Sequence, residues 1–190
     1  PFLAEFIAPK ISQFIDLHPG IRIELIGDDR NLGIAEREAD IAIRYARPTG
    51  PHLAGRRLAT FAYAIFKAAK SPGKRAGPEP RWVQLSQSLK HLPEAEWLTR
   101  NVDDAAIVMR ANPLDVVVKA VAGGAGQALL PVALARRHSK LRQVGPVALH
   151  REIWLVYHQD DRKTPRIRAV ADWLISVMKD VPAGSLKSEG

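Results

Sequence analysis

Arg44 is the residue best placed in this chain to hold a small anion, because a guanidinium grips a carboxylate through two parallel hydrogen bonds. Its plain alternative is a solvated or structurally paired arginine. Tyr45 follows it at the end of the apolar run Ala39–Ile43. Asp28 can recognise an amine, although Asp28-Asp29-Arg30-Asn31 also has the composition of an ordinary turn. In open α/β sheets, ligands sit beyond the carboxyl ends of strands. That rule selects Gly27 and Asp28 after the run Ile21–Ile26, Arg44 and Tyr45 after Ala39–Ile43, and Ser86 and Gln87 after Trp82–Leu85. Asn112 joins them at a helix start, where it can meet a ligand or simply cap the first turn.

Other chemistry finds little support. The six histidines (His18, His52, His91, His138, His150 and His158) are scattered, with no i, i+4 pair to ligate a metal. There is no GxSxG elbow and no P-loop, and nothing calls for a cofactor. Arg136, Arg137, His138, Lys140 and Arg142 form a basic run at an expected helix end. It can face phosphate or DNA, or it can serve the helix terminus and water. Arg162, Lys163, Arg166 and Arg168 read the same way. Trp82, Trp97, Trp154 and Trp173 lie in apolar patterns that suit core packing better than base stacking.

The positioning elements centre on Asn112–Pro131, NPLDVVVKAVAGGAGQALLP. Asn112 is an expected N-cap and Pro113 suits the first helical position. Leu114, Val117, Val118 and Val121 then make an apolar stripe on one helix face. Gly123 and Gly124 supply a left-handed residue to end that helix. Gln127–Leu130 reads as a buried strand, and Pro131 opens a helix over Val132–His138. A phosphate-cradling loop runs strand, glycines, helix; here the glycines follow a helix, so they read as a C-cap.

Upstream, Phe2–Leu17 has helical apolar spacing that Pro9 should kink or restart, and His18-Pro19-Gly20 breaks it. Ile21–Ile26 alternates like a strand with one buried face, a short helix is expected to about Glu38, and Ala39–Ile43 reads as a second strand. Leu58–Phe66, Trp82–Leu85, Ala106–Arg110, Leu141–Val144 and Ile153–Tyr157 read as further strands. Ser71–Pro80 is a loop, Glu94–Arg100 a short helix, and Arg166–Lys179 a terminal amphipathic helix. The last eight residues have the look of a disordered tail. Strands alternating with helices argue an α/β chain with mostly parallel sheets.

With 190 residues the chain can bury a full core as one domain or two small ones. No apolar run has membrane-spanning length, and the start does not resemble a signal peptide. The chain has no cysteine, which excludes disulfides and is compatible with the cytoplasm, the expected compartment. A net charge of +8 favours acidic partners without bearing on fold. Opening at Pro1 directly into an amphipathic pattern, the sequence reads as a piece of a longer protein.

Several stretches in order resemble a known family. They are the opening helix ending in His18-Pro19-Gly20-Ile21, then Asp29-Arg30-Asn31, Ala39-Asp40-Ile41-Ala42-Ile43-Arg44 and Leu53-Ala54-Gly55-Arg56-Arg57-Leu58. Ala122 through Pro131 and Pro165-Arg166-Ile167-Arg168 complete the series. Together these resemble the C-terminal effector-binding domain of LysR-type transcriptional regulators, over almost the whole chain to about residue 180. The resemblance implies a fold like the type II periplasmic binding proteins: two Rossmann-like α/β subdomains joined by two crossing strands. Subdomain I would hold residues 1–60 and 153–182, subdomain II residues 61–152, with 183–190 as the tail. The family's domain normally opens with a further strand of subdomain I, and a winged helix-turn-helix that reads DNA precedes it; neither is in this sequence.

The resemblance implies an effector-sensing domain, not an enzyme, and places effector contacts at the strand-end positions named above. A small anionic or zwitterionic metabolite would enter the cleft between subdomains, shift their relative angle and so modulate DNA binding by the helix-turn-helix. DNA would be contacted only through that missing domain. In the family such domains pair antiparallel through the first helix and the strand after it, so a homodimer is expected, or a tetramer for the full-length protein. A transport solute-binding protein would share the fold. An enzyme on the same scaffold and an effector-less interaction module are further alternatives.

Overall fold

Pro9 sets the build of the N-terminus. The apolar run winds as a wide π turn over Leu3–Ile7, tightens to one 3-10 turn at Ala8–Lys10, and becomes a regular helix, α1, over Ile11–Leu17. Proline has no amide to donate and crowds the carbonyl four residues back, so no uniform helix passes through it. At His18 the amide donates to the carbonyls of Phe14 and Ile15, and the chain turns at Pro19-Gly20. The structure is a computed structural model describing residues 2–27, 34, 38–70, 73 and 80–181. The helix expected between Asp28 and Glu38, most of the Ser71–Pro80 loop and the C-terminal tail lie outside the described residues.

Six strands follow among those residues: β1 (Ile41–Arg44), β2 (Leu53–Ala68), β3 (Trp82–Leu85), β4 (Ile107–Ala111), β5 (Gln127–Pro131) and β6 (Leu141–His158). The longer helices are α2 (Pro93–Asn101), α3 (Leu114–Ala122) and α5 (Pro165–Lys179), with one short turn of helix, α4 (Val132–Ala135). Residues 61–150 form one compact unit, and residues 2–60 with 151–181 form the other. Both β2 and β6 contribute residues to each unit.

In the first unit the strand order is β2-β5-β3-β4. β5 runs antiparallel to β2 from Tyr63↔Pro131 to Lys67↔Gln127, and β3 runs parallel to both β4 and β5. The α3 stripe of Val117, Val118 and Val121 packs with Ala62, Ala64, Phe66, Val83, Ala128 and Leu130 in one core. α3 ends in a Schellman turn. The amide of Ala125 donates to the carbonyl of Ala120 and that of Gly124 to the carbonyl of Val121, each at 2.9 Å. Gly124 alone takes the left-handed conformation, at φ 85°, while Gly123 stays right-handed at φ −77°. Gly126 serves a different need. A Cβ there would lie 2.6 Å from the carbonyl oxygen of Arg81, which accepts the amide of Gln127 at 2.8 Å and starts the β3–β5 pairing.

In the second unit β1 pairs antiparallel with β6, from Ile41↔Tyr157 to Arg44↔Trp154. Ile7 and Leu155 pack with Ala171, Leu174 and Val177 of α5 into a separate core. Phe14 is fully buried, its ring 5.0 Å from that of Trp173.

Five expectations change. Ile21–Ile26 is not a strand: it has no strand partner among the described residues, and its only loop-type backbone bond is from Ile21 back to His18. Alternation exposes one face, but a strand also needs a neighbour to take its amides and carbonyls. Asn112 does not cap α3. The helix begins at Leu114 with an extended Pro113 in the cap position, which leaves Asn112 one residue too far upstream. Leu141–Val144 and Ile153–Tyr157 are one strand, because Gly145 absorbs the irregularity at φ 75° and pairing continues beyond it. Among the described residues, the parallel pairing recorded is that of β3 with its two neighbours, while the long strands β2 and β6 enter antiparallel ladders. Finally, the helix after Pro131 stops at Ala135 instead of reaching His138.

Candidate functional site

The parallel strands of the first unit bring three of the candidates together. β3 and β4 end in register, Leu85 opposite Ala111, so Ser86 and Asn112 emerge side by side at their carboxyl ends. The Ser86 amide donates to the Ala111 carbonyl at 3.0 Å and extends the ladder by one bond. Gln87 follows, exposed, in a single 3-10 turn, and the Ser86 and Ser88 hydroxyls lie 2.7 Å apart. Asn112 is also exposed. Two hydroxyls and two amide side chains at one sheet end can donate to and accept from a polar ligand, with no net charge of their own.

The second unit carries the charge. Arg44, half-buried, is the last residue of β1. Tyr45 follows it, and the guanidinium carbon of Arg151 sits 4.4 Å from the Tyr45 ring centroid. Arg151 is 7% exposed, a rare position for a charged side chain, and a cation over an aromatic face gains from the ring's negative quadrupole. Arg151 belongs with the candidates. Its sequence signal was hidden, because His150-Arg151-Glu152 reads as a polar break before the apolar run from Ile153. Gly27 follows the Ile21–Ile26 segment, and a Cβ there would meet the Leu3 side chain at 3.8 Å. Asp28 lies outside the described residues.

Next to Arg151, Glu152 accepts from Arg57 Nη1 and from the Trp154 indole, both at 3.0 Å, while Arg47 lies 5.6 Å from the Trp154 ring. The Arg57 hydrogen bond, then the Trp154 one, holds the Glu152 carboxyl below the ordinary carboxylate range. Arg166 pairs with Asp40 at 3.7 Å, so the α5 cations are partly used in surface pairing. Trp82 and Trp97 pack at 6.3 Å and Trp173 against Phe14, in keeping with a packing role. Among the described residues, no group of three or more histidine or acidic side chains could hold a metal, and no helix is long and apolar enough to cross a membrane.

Comparison with known proteins bears on the fold and the family. Residues 1–179 match the family described as the LysR substrate binding domain. The Mau operon transcriptional activator of Paracoccus denitrificans is 25% identical over 182 residues, covering 94% of this chain. The chain spans 62% of that relative's length. Among solved structures, the regulatory domain of CrgA, a LysR-type transcriptional regulator from Neisseria meningitidis, superposes with a TM-score of 0.76 at 18% identity, covering 94% of each chain. The regulatory domain of Synechocystis CcmR, solved in complex with 2-PG, gives a TM-score of 0.73 at 18% identity and covers 95% of each chain. These structural likenesses speak to the fold, and the family match runs through nearly every element described above. The chain belongs to the LysR substrate-binding domain family.

Proposed function

We propose that this chain is the effector-sensing part of a LysR-type transcriptional regulator, and that its effector is a small anionic or zwitterionic metabolite. The match to the LysR substrate-binding family over residues 1–179 carries the reading. It favours regulation over solute transport and over catalysis. The capture of 2-PG by a regulatory domain of the same fold supports a small-molecule ligand. Arg44 grips a ligand carboxylate, Tyr45 and Gly27 border it, and Ser86, Gln87 and Asn112 supply neutral hydrogen bonds. Arg151 holds the Tyr45 ring in place. The ligand acts only through a difference in affinity between two states of the protein. DNA is reached through a separate N-terminal domain.

We also propose that two copies pair through the first helix and the segment after it. Ile15, Leu17, Leu25 and Ile26 are 47%, 75%, 42% and 47% exposed, an apolar surface of the kind that marks protein contact.

The test is the melting temperature of this chain against a panel of amino acids and small carboxylates. A ligand at about a hundred times its dissociation constant stabilises by roughly 2.7 kcal/mol. The expected outcome is an upward shift that Arg44→Ala abolishes in a variant that still unfolds cooperatively. A folded protein that no panel member stabilises would turn the reading toward an effector-less interaction module.

A further inference from the structure

Where α3 ends, the first unit has a surface concavity of about 460 Å³, lined by Lys119, Gly123 and the turn Arg137–Lys140. Among the described residues, no carboxylate lines it. Three permanent cations, the His138 ring and the Ser139 hydroxyl therefore share one hollow. No ion pair among the described residues engages His138 or Lys140. Lys119 has an exposed i, i+4 partner in Asp115 at 3.6 Å, a pairing weak enough to be exchanged for a better anion.

Serving a helix end does not account for this charge. α4 has four residues, too few for a substantial macrodipole. The last turn of α3 has its Lys119, Ala120 and Val121 carbonyls bonded to the amides of Gly123, Ala125 and Gly124, so those acceptors are occupied. The turn carrying the cations is pinned. The amides of Arg137, His138 and Leu141 donate to the carbonyls of Leu134, Ala135 and His138, and the Lys140 carbonyl accepts from Ala69 at 2.7 Å. The cations are exposed and their mutual repulsion is screened by water, but an anion entering the hollow gains from several of them at once.

We propose that this concavity is an anion site, separate from the effector residues, that takes the phosphoryl group of a small phosphate monoester. A phosphoryl group brings close to two negative charges and three acceptor oxygens, which suits two lysines, an arginine fork and a hydroxyl. The hollow exceeds a bare ion and lies in the size range of small-molecule pockets. None of its residues is among the effector candidates, so either reading can fail without the other.

The experiment titrates the chain with AMP, with inorganic phosphate and with sodium chloride at matched ionic strength, following amide chemical shifts. Saturable AMP binding is expected, tighter than inorganic phosphate, with shifts centred on Lys119, Gly123 and Arg137–Lys140. The exposed double substitution Arg137→Glu/Lys140→Glu should weaken it by at least about tenfold, or 1.4 kcal/mol. Gly123→Glu should do likewise without removing a cation, because a Cβ there meets nothing closer than 3.4 Å. A response that tracks ionic strength alone, shifts centred elsewhere, or binding indifferent to both variants overturns the proposal. So does phosphate binding as tightly as AMP, which would mark an adventitious ion only, or a response to duplex DNA alone.

Discussion

Two regions of this molecule are written in nearly the same pattern and fold differently. Ile11–Ile26 and Leu114–Pro131 each read as a helix, a turn with glycine and an apolar run. In the second region the run becomes β5, lying between β2 and β3, with Leu129 and Leu130 at 5% and 0% exposure. In the first, Ile21–Ile26 pairs with no strand among the described residues, and Leu25 and Ile26 are 42% and 47% exposed. The difference lies in the neighbours. β2 and Arg81 offer β5 carbonyls and amides on both sides, whereas the first run has, among the described residues, just the hydrogen bond at His18. An apolar pattern states what a segment gains by burial; hydrogen-bonding partners decide whether it can be a strand.

The largest contrast should come from leucine truncation. Leu130→Ala leaves a cavity in the first core and should cost about 2–5 kcal/mol in urea unfolding. Leu25→Asp, on the exposed run, should stay within about 0.5 kcal/mol. It should instead reduce self-association in sedimentation equilibrium, which measures the proposed pairing directly. A large stability loss at Leu25 would mean that the first run is packed after all.

The glycines sharpen the comparison at smaller scale. Gly126→Ala drives a methyl to 2.6 Å from the Arg81 carbonyl, backbone that cannot step aside, and should cost about 1–3 kcal/mol. Gly20→Ala, in the equivalent turn of the first region, meets nothing within 4 Å and should be nearly silent in the same unfolding assay. Equal effects would remove the distinction between a turn that locks a strand and one that merely ends a helix.

The smallest effect belongs to Glu152, on β6 in the unit that holds the first region. Its folded pKa is lowered, so its contribution is present above the ordinary carboxylate range and is lost as pH falls through the lowered value. Wild type should therefore lose slightly more melting temperature on acidification than Glu152→Gln. The pair is exposed and screened, so the gap should shrink further in high salt.

The placement of the candidate residues at strand ends was legible because strand ends are short-range features. The short apolar run Trp82–Leu85 stops where β3 stops, so Ser86 and Gln87 fall at its carboxyl end, and the apolar run before Arg44 places that residue equally well. Asn112 sits at the end of β4 beside Ser86, although the capping pattern that drew attention to it does not hold, since it does not cap α3. Arg151 was not legible. Its stacking partner, Tyr45, lies more than a hundred positions away, and only the β1–β6 pairing brings that part of the chain alongside.

The sequence by itself determined the longer helices α2, α3 and α5, the breaks and the family. Side-chain periodicity, Pro9, Gly124 and the valine stripe of α3 act over a few residues, where covalent geometry and burial of one face dominate. The tertiary structure alone decided which apolar runs became strands, that Leu141–His158 is continuous, and that Lys119 meets the Arg137–Lys140 turn around one hollow. Each of those outcomes depends on backbone hydrogen bonds or charges supplied by distant segments, and such partners carry no mark in the local pattern.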